Sequence, residues 1–192
     1  MKNTAIRGSV FLLCLIPFAL IILAIANGTA GPDPAEFIMN STGEWAARIL
    51  LLSLLASPLK KWTGWLVVLK LRRMLGLYAF FYASVHLATF GHFFIGWSLS
   101  ILAEELLERP YITMGFAAWL LMLPMALTST RAMQRSLRRN WQRLHRLVYP
   151  AAVFVCLHIL WQARSDIGEA LIYIGLFSWM LIWRYFRHRR AS

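Results

Sequence analysis

Residues 74–97 read MLGLYAFFYASVHLATFGHFFIGW, 24 positions without a Lys, Arg, Asp or Glu. A helix crosses the hydrocarbon core of a bilayer with about 20 apolar residues. No period of two runs through the stretch, and an open sheet would leave backbone groups unpaired in lipid, so it reads as a transmembrane helix. Arg72 and Arg73 stand just before it, and His86 lies near its middle. An ionisable side chain at that depth is costly and points to function.

Five more apolar runs flank this one: residues 9–26, 45–59, 111–128, from 144 or 147 to 163, and about 169–183. The run 45–59 is short and interrupted by Arg48. Composition agrees, with 59% hydrophobic and 15% charged residues and a mean hydropathy of +0.59. An ordinary soluble domain has about 45–50% and 25%. These values exclude a disordered chain and a nucleic-acid arm, and they argue against a soluble enzyme. No internal repeat or low-complexity stretch is visible, and linkers are short. The expected fold is therefore an all-α integral membrane protein, one domain over residues 1–192 with six transmembrane helices.

The run 9–26 follows Lys2 and Arg7, and Ala24-Ile25-Ala26 resembles a signal-peptidase site. A cleaved signal has an apolar core of about 7–15 residues. This one has 18. A retained helix is favoured, with a cleaved signal as the rival.

Charge sets the orientation, because short loops rich in Lys and Arg stay in the cytoplasm. Lys2 and Arg7, then Lys60, Lys61, Lys70, Arg72 and Arg73, then Arg131, Arg135, Arg138, Arg139, Arg143 and Arg146, and finally Arg184, Arg187, Arg189 and Arg190 make 17 of the 20 basic residues. All fall on one side if six helices alternate. The eight carboxylates, Asp33, Glu36, Glu44, Glu104, Glu105, Glu108, Asp166 and Glu169, fall on the other. Both termini are expected in the cytoplasm. The loop 97–110, with three of the glutamates, is a candidate docking surface outside or simply a solvated loop. The net charge of +12 then reads as topology.

The histidines carry the chemistry. His188 sits in the basic tail and reads as solvated. His92 follows His86 by six residues, roughly 240° around a helix, so the two cannot share a ligand site. His86 and His158 are deep in separate runs, each about 17–18 Å from the inner boundary at 1.5 Å per residue. Equal depth on two helices is what bis-imidazole ligation of one haem requires, with the iron held from both faces. Helix–helix hydrogen bonding or proton transfer is the other reading of the pair. His145 lies about 20 Å lower on the helix of His158, where it could hold a second haem or cap the helix start. Pro150 could bend the helix between them. The third helix has Arg73 where a matching lower histidine would stand, so the second ligand there stays open. Arg48, Arg72 and Arg73 are candidates for the haem propionates, against snorkelling for Arg48 and topology for the pair. Trp161 could edge the outer haem or simply pack.

Other chemistry is thin. Cys14 and Cys156 both lie in apolar runs and read as small buried hydrophobes, without a disulfide or a Cys-x-x-Cys. No Gly-x-Gly-x-x-Gly, Walker, His-Glu-x-x-His or Ser-His-Asp pattern occurs, and six helices leave no room for a nucleotide domain. That weakens a self-contained ferric or oxygen reductase. A small transporter or proton conductor with His86 and His158 as relay groups is the alternative from another class.

Eight ordered stretches carry a family resemblance: NG at 27–28, GPDP at 31–34, TGEWA at 42–46, RRMLGL at 72–77, YASVHL at 82–87, RPYITMG at 109–115, LTST at 127–130 and WQRLHRLVY at 141–149. The chain resembles the MsrQ (YedZ) family, the haem-binding membrane subunits of periplasmic methionine sulfoxide reductase systems. More distantly it resembles the membrane domain of ferric reductases and NADPH oxidases. The resemblance implies one or two b-type haems at His86, His145 and His158 in a bacterial inner membrane. It implies electrons entering from quinol or a cytosolic flavin reductase. It implies delivery to a periplasmic molybdopterin subunit that reduces methionine sulfoxide, so that this chain transfers electrons and the partner holds the catalytic site. FMN is linked with the family but falls on no residue here. The missing lower histidine of the third helix departs from the NADPH-oxidase pattern.

Overall fold

The computed structural model describes residues 2–163 and 167–189. Asp166 and Arg190 lie outside the described residues, as do the side chains of Lys2, Glu169, Arg184, Arg187, His188 and Arg189. Among the described residues all regular structure is helical. The chain divides into two compact units, Met1–Ser98 and Leu99–Ser192.

The first unit holds α1 (Lys2–Ala26), α2 (Pro34–Thr63) and α3 (Leu66–Thr89), which runs on into a π-turn at Phe90–Phe94. Asp33 starts α2: its Oδ1 accepts the Glu36 N–H at 3.0 Å, and Pro34 occupies the first turn, where a missing N–H costs nothing. Gly64 ends α2 in the left-handed region at φ 74°, returning its N–H to the Lys60 carbonyl. With only Gly64 and Trp65 between them, α2 and α3 form an antiparallel hairpin paired along most of its length. Small and branched residues, Leu54, Ala56 and Ala79, are fully or almost fully buried in this unit. Close approach of this kind holds helices together where burial from water supplies no drive.

Two tyrosines of α3 dock α1. Tyr78 donates its hydroxyl to the Phe11 carbonyl at 3.0 Å. Tyr82, fully buried, donates to the Cys14 carbonyl at 2.7 Å and accepts the Phe18 N–H at 3.0 Å. Cys14 and Phe18 are the two ends of one helical hydrogen bond, so the hydroxyl is inserted into the ladder of α1 beside Pro17. Edge-on contacts of Phe11 with Tyr78 and Phe18 with Phe81 complete the joint. The segment weighed against a cleaved signal is thus packed on the helix that carries His86.

The second unit contains α4 (Leu99–Glu108), α5 (Pro110–Leu127), two short basic helices α6 (Arg131–Leu137) and α7 (Arg139–Leu144), a 3-10 turn at His145–Leu147, α8 (Val148–Gln162) and α9 (Ile167–Arg189). α5 and α8 pair, and α9 packs on α8 with Phe177 and Met180 buried. The 3-10 turn has a local cause. Pro150 offers no N–H to the Arg146 carbonyl, and the chain tightens just before it.

Four segments are long and apolar enough to cross a membrane: Thr4–Ala26, Leu66–Phe94, Pro110–Leu127 and Arg139–Gln162. Ala170–Trp183 is a shorter apolar helix, and α2 is 30 residues long but carries Glu44 and Arg48. Two expectations need correction. Lys60, Lys61, Lys70, Arg72 and Arg73 do not form a loop: they lie in the last turn of α2 and inside α3, because Gly64 lets the chain reverse within two residues. The segment 97–110 is not a loop either. It contains the ten-residue helix α4, tied to α5 by the Thr113 hydroxyl on the Leu106 carbonyl and by an Arg109–Glu105 ion pair at 3.2 Å.

Candidate functional site

His86 sits on α3, and the α2 backbone holds its ring. Its Nδ1 lies 2.8 Å from the Met39 carbonyl oxygen. One turn beyond Met39 is Gly43, and a Cβ built there would meet His86 Nδ1 at 3.0 Å and Cε1 at 3.1 Å. His158 is held in the same way by α5. Its Nδ1 lies 2.7 Å from the Tyr111 carbonyl oxygen, and a Cβ at Gly115 would meet Nδ1 at 2.9 Å and Cε1 at 3.0 Å.

The two arrangements share one numbering. Each histidine follows its carbonyl by 47 residues, and each glycine follows that carbonyl by four. Ala79 and Ala151, seven residues before each histidine and on the same helical face, are fully buried. The histidine-bearing helix pair α2–α3 is thus matched by α5–α8 with an offset of 72, a correspondence that the expectation of no internal repeat did not include. The correspondence escaped the sequence because the surrounding positions need only be apolar, so their identities differ.

His145 is held differently. It begins the 3-10 turn, its Nδ1 is 3.0 Å from the Trp141 carbonyl one turn earlier, and its ring stacks on Trp141 at 3.8 Å between centroids. Trp141 is anchored in turn by its Nε1–H on the Thr128 carbonyl at 3.0 Å. His145 is thus oriented by its own helical segment, whereas His86 and His158 are oriented across a helix pair.

A carbonyl oxygen only accepts, so Nδ1 carries a proton in all three rings, and in the neutral form the imidazole lone pair is at Nε2. That is the tautomer an imidazole needs to ligate a metal, and a backbone carbonyl on the far nitrogen is the usual orienting partner. The donor set therefore fits haem iron. Among the described residues no cluster of three or more His, Cys, Asp or Glu side chains is placed to bind a bare metal ion.

The candidate cations are placed as follows. Arg48 pairs with Glu44 at 2.8 Å on α2 and lies over the Trp45 ring at 5.2 Å, so a carboxylate of its own helix already meets it. Arg72 is half-buried and its carbonyl accepts the Ser53 hydroxyl at 3.1 Å, while Arg73 is exposed. His92 is exposed within the π-turn and accepts the Trp97 Nε1–H at 3.3 Å. Sequence reasoning missed Met39, Gly43, Tyr111 and Gly115. The available signal was a glycine 43 residues before each of the two deep histidines.

Residues 42–156 match the family described as ferric reductase like transmembrane component. The protein-methionine-sulfoxide reductase heme-binding subunit MsrQ of Xanthomonas euvesicatoria pv. vesicatoria is 50% identical over 161 residues, 84% of this chain and 74% of that protein. The subunits of the same name from Xanthomonas axonopodis pv. citri and Xanthomonas campestris pv. campestris are 48% and 47% identical over the same lengths. The chain belongs to the MsrQ family. The ferric-reductase-like match takes in both glycines, His86 and His145 and stops two residues short of His158. That matched span contains most of both helix pairs.

Proposed function

We propose that this chain is the haem-carrying electron-transfer subunit of a methionine sulfoxide reductase system in a bacterial inner membrane. In this reading His86 and His158 would together hold one b-type haem, and His145 would hold a second. The observation that carries the reading is the pair of matched histidine–carbonyl contacts, each with its glycine. The relatives, named as heme-binding subunits of a protein-methionine-sulfoxide reductase, supply the setting.

When bound, haem supplies one-electron chemistry at its iron. The chain's residues do the rest. The Met39 and Tyr111 carbonyls fix the tautomer of His86 and His158, restrict ring rotation and raise the basicity of Nε2. The apolar helices around each ring keep water away, which with the ligands sets the potential. Arg72 and Arg73 lie 14 and 13 residues before His86 on α3, at the level of His145 in the matched pair, and offer cations to the propionates of the second haem. Arg48 serves those of the first while paired with Glu44. Electrons come from quinol or a cytosolic flavin reductase and leave to a periplasmic molybdopterin subunit, which holds the methionine sulfoxide site. No residue is assigned to FMN.

An optical spectrum of the purified chain tests this. The wild type should show a Soret band and, after reduction, the sharp bands of low-spin b-type haem. His86→Ala and His158→Ala should each abolish the bis-histidine signal. A wild type without Soret absorbance would overturn the reading in favour of a proton conductor. A substitution that leaves haem content and spectrum unchanged would remove that histidine from the ligand set.

A further inference from the structure

In an α-helix the side chain at position i+4 leans back over the carbonyl of residue i, because every Cα–Cβ bond tilts toward the N-terminus. That carbonyl has two lone pairs, and the helical N–H of i+4 uses one. A short, rigid imidazole on a neighbouring helix reaches the second most readily where the covering side chain is absent, whereas the longer Tyr78 reaches the Phe11 carbonyl past Leu15. Gly43 stands four residues after Met39 and Gly115 four after Tyr111, and at both places an imidazole from the paired helix occupies the uncovered acceptor.

We propose that Gly43 and Gly115 are positioning residues for His86 and His158, each opening one helix carbonyl to one imidazole and thereby fixing its orientation. The proposal rests on the reading of both histidines as haem ligands. The spaces are specific. A Cβ at Gly115 would fall 2.9, 3.0 and 3.3 Å from three atoms of the His158 ring, the first closer than real Cβ atoms come and the others tighter than most. At Gly43 the nearest ring atoms are at 3.0 and 3.1 Å. Gly76, also on α3, meets only the Ser53 hydroxyl at 3.7 Å, and Gly175 on α9 meets nothing within 4 Å. Gly91 in the π-turn is as close-packed, but against the Trp97 ring at 2.8 Å; at Gly43 and Gly115 the crowding atoms are those of the imidazoles.

The two sites differ in one detail. The Thr42 hydroxyl also approaches the Met39 carbonyl, at 3.2 Å, while its main acceptor is the Ile38 carbonyl at 2.6 Å. Met114 takes the place of Thr42 in the matched pair and offers no donor. His158 thus has the shorter bond and the tighter glycine, and Gly115→Ala should be the more damaging change.

The test uses the full chain in lipid nanodiscs and three variants, Gly43→Ala, Gly115→Ala and the control Gly175→Ala. Haem retention, the electron paramagnetic resonance of the oxidised protein and the midpoint potential are measured on each. Loss of an orienting contact weakens metal retention by roughly 10–100-fold. Gly43→Ala and Gly115→Ala should fall in that range, with shifted g-values and potential, while Gly175→Ala matches wild type. Thermal unfolding is then followed for Gly115→Ala with and without His158→Ala, and for Gly43→Ala with and without His86→Ala. Each alanine should lower the midpoint beside its histidine and have no effect once the ring is gone. Spectra and potentials equal to those of the control would overturn the proposal. So would equal destabilisation in both backgrounds, because the glycine would then serve helix packing alone. Should the wild type carry no haem, the haem reading fails, and the unfolding comparison still decides whether each glycine makes room for its imidazole.

Discussion

Three histidines share one chemical feature, Nδ1 on a backbone carbonyl, and differ in whose carbonyl it is. His86 and His158 borrow theirs from the paired helix, so their ring planes are set by helix packing. His145 uses the Trp141 carbonyl one turn back and leans on the Trp141 ring, so its orientation is set locally. It should then act as a separate ligand. His145→Ala should remove about half of the bound haem and leave the spectrum of the remainder intact. Redox titration checks this, with two potentials collapsing to one. A single haem in wild type that ignores the substitution would return His145 to a capping role. The histidines and the arginines Arg48, Arg72 and Arg73 were legible in the sequence because charge and imidazole stand out against apolar neighbours. Their carbonyl partners were not, because any residue supplies a carbonyl.

The helix pairs are the elements that bring those partners together. α2 and α3 reverse at Gly64 and Trp65, and Gly64 adopts a left-handed conformation that costs other residues about 1–2 kcal/mol. Gly64→Ala should lower the stability of the chain by about that amount without altering the haem spectrum, since the turn lies far along the hairpin from His86. Chemical unfolding in detergent measures it, and an unchanged midpoint would contradict the strain. Apolar runs predicted where helices exist but not where they end. α2 begins at Pro34 and α3 at Leu66, well outside runs 45–59 and 74–97. Charged residues tolerated in the end turns of long helices hide the boundaries, while Asp33 and Gly64 set them by capping. α4 was hidden for another reason: it is short and amphipathic, with Leu99 and Leu107 exposed beside its glutamates.

For the whole molecule, orientation follows from charge. Reporter fusions at the Gly64–Trp65 turn and after Ser192 should report the cytoplasm, and one between Trp97 and Ser98 should report the outside. An external C-terminus would break the six-helix arrangement. The sequence alone determined that the chain is helical, that it belongs in a membrane and which histidines lie deep in apolar runs. Each of these depends on side-chain type and spacing along one helix: apolarity over about 20 residues, or an ionisable group where none is cheap. Only the tertiary structure decided that each deep histidine is seated on a carbonyl of its paired helix, that a glycine makes the seat, and that one such unit occurs twice. Those facts depend on the contact between two helices 47 residues apart in the chain. The pairing is fixed by close packing at a few small residues, and the many apolar positions around them leave no period by which to read it.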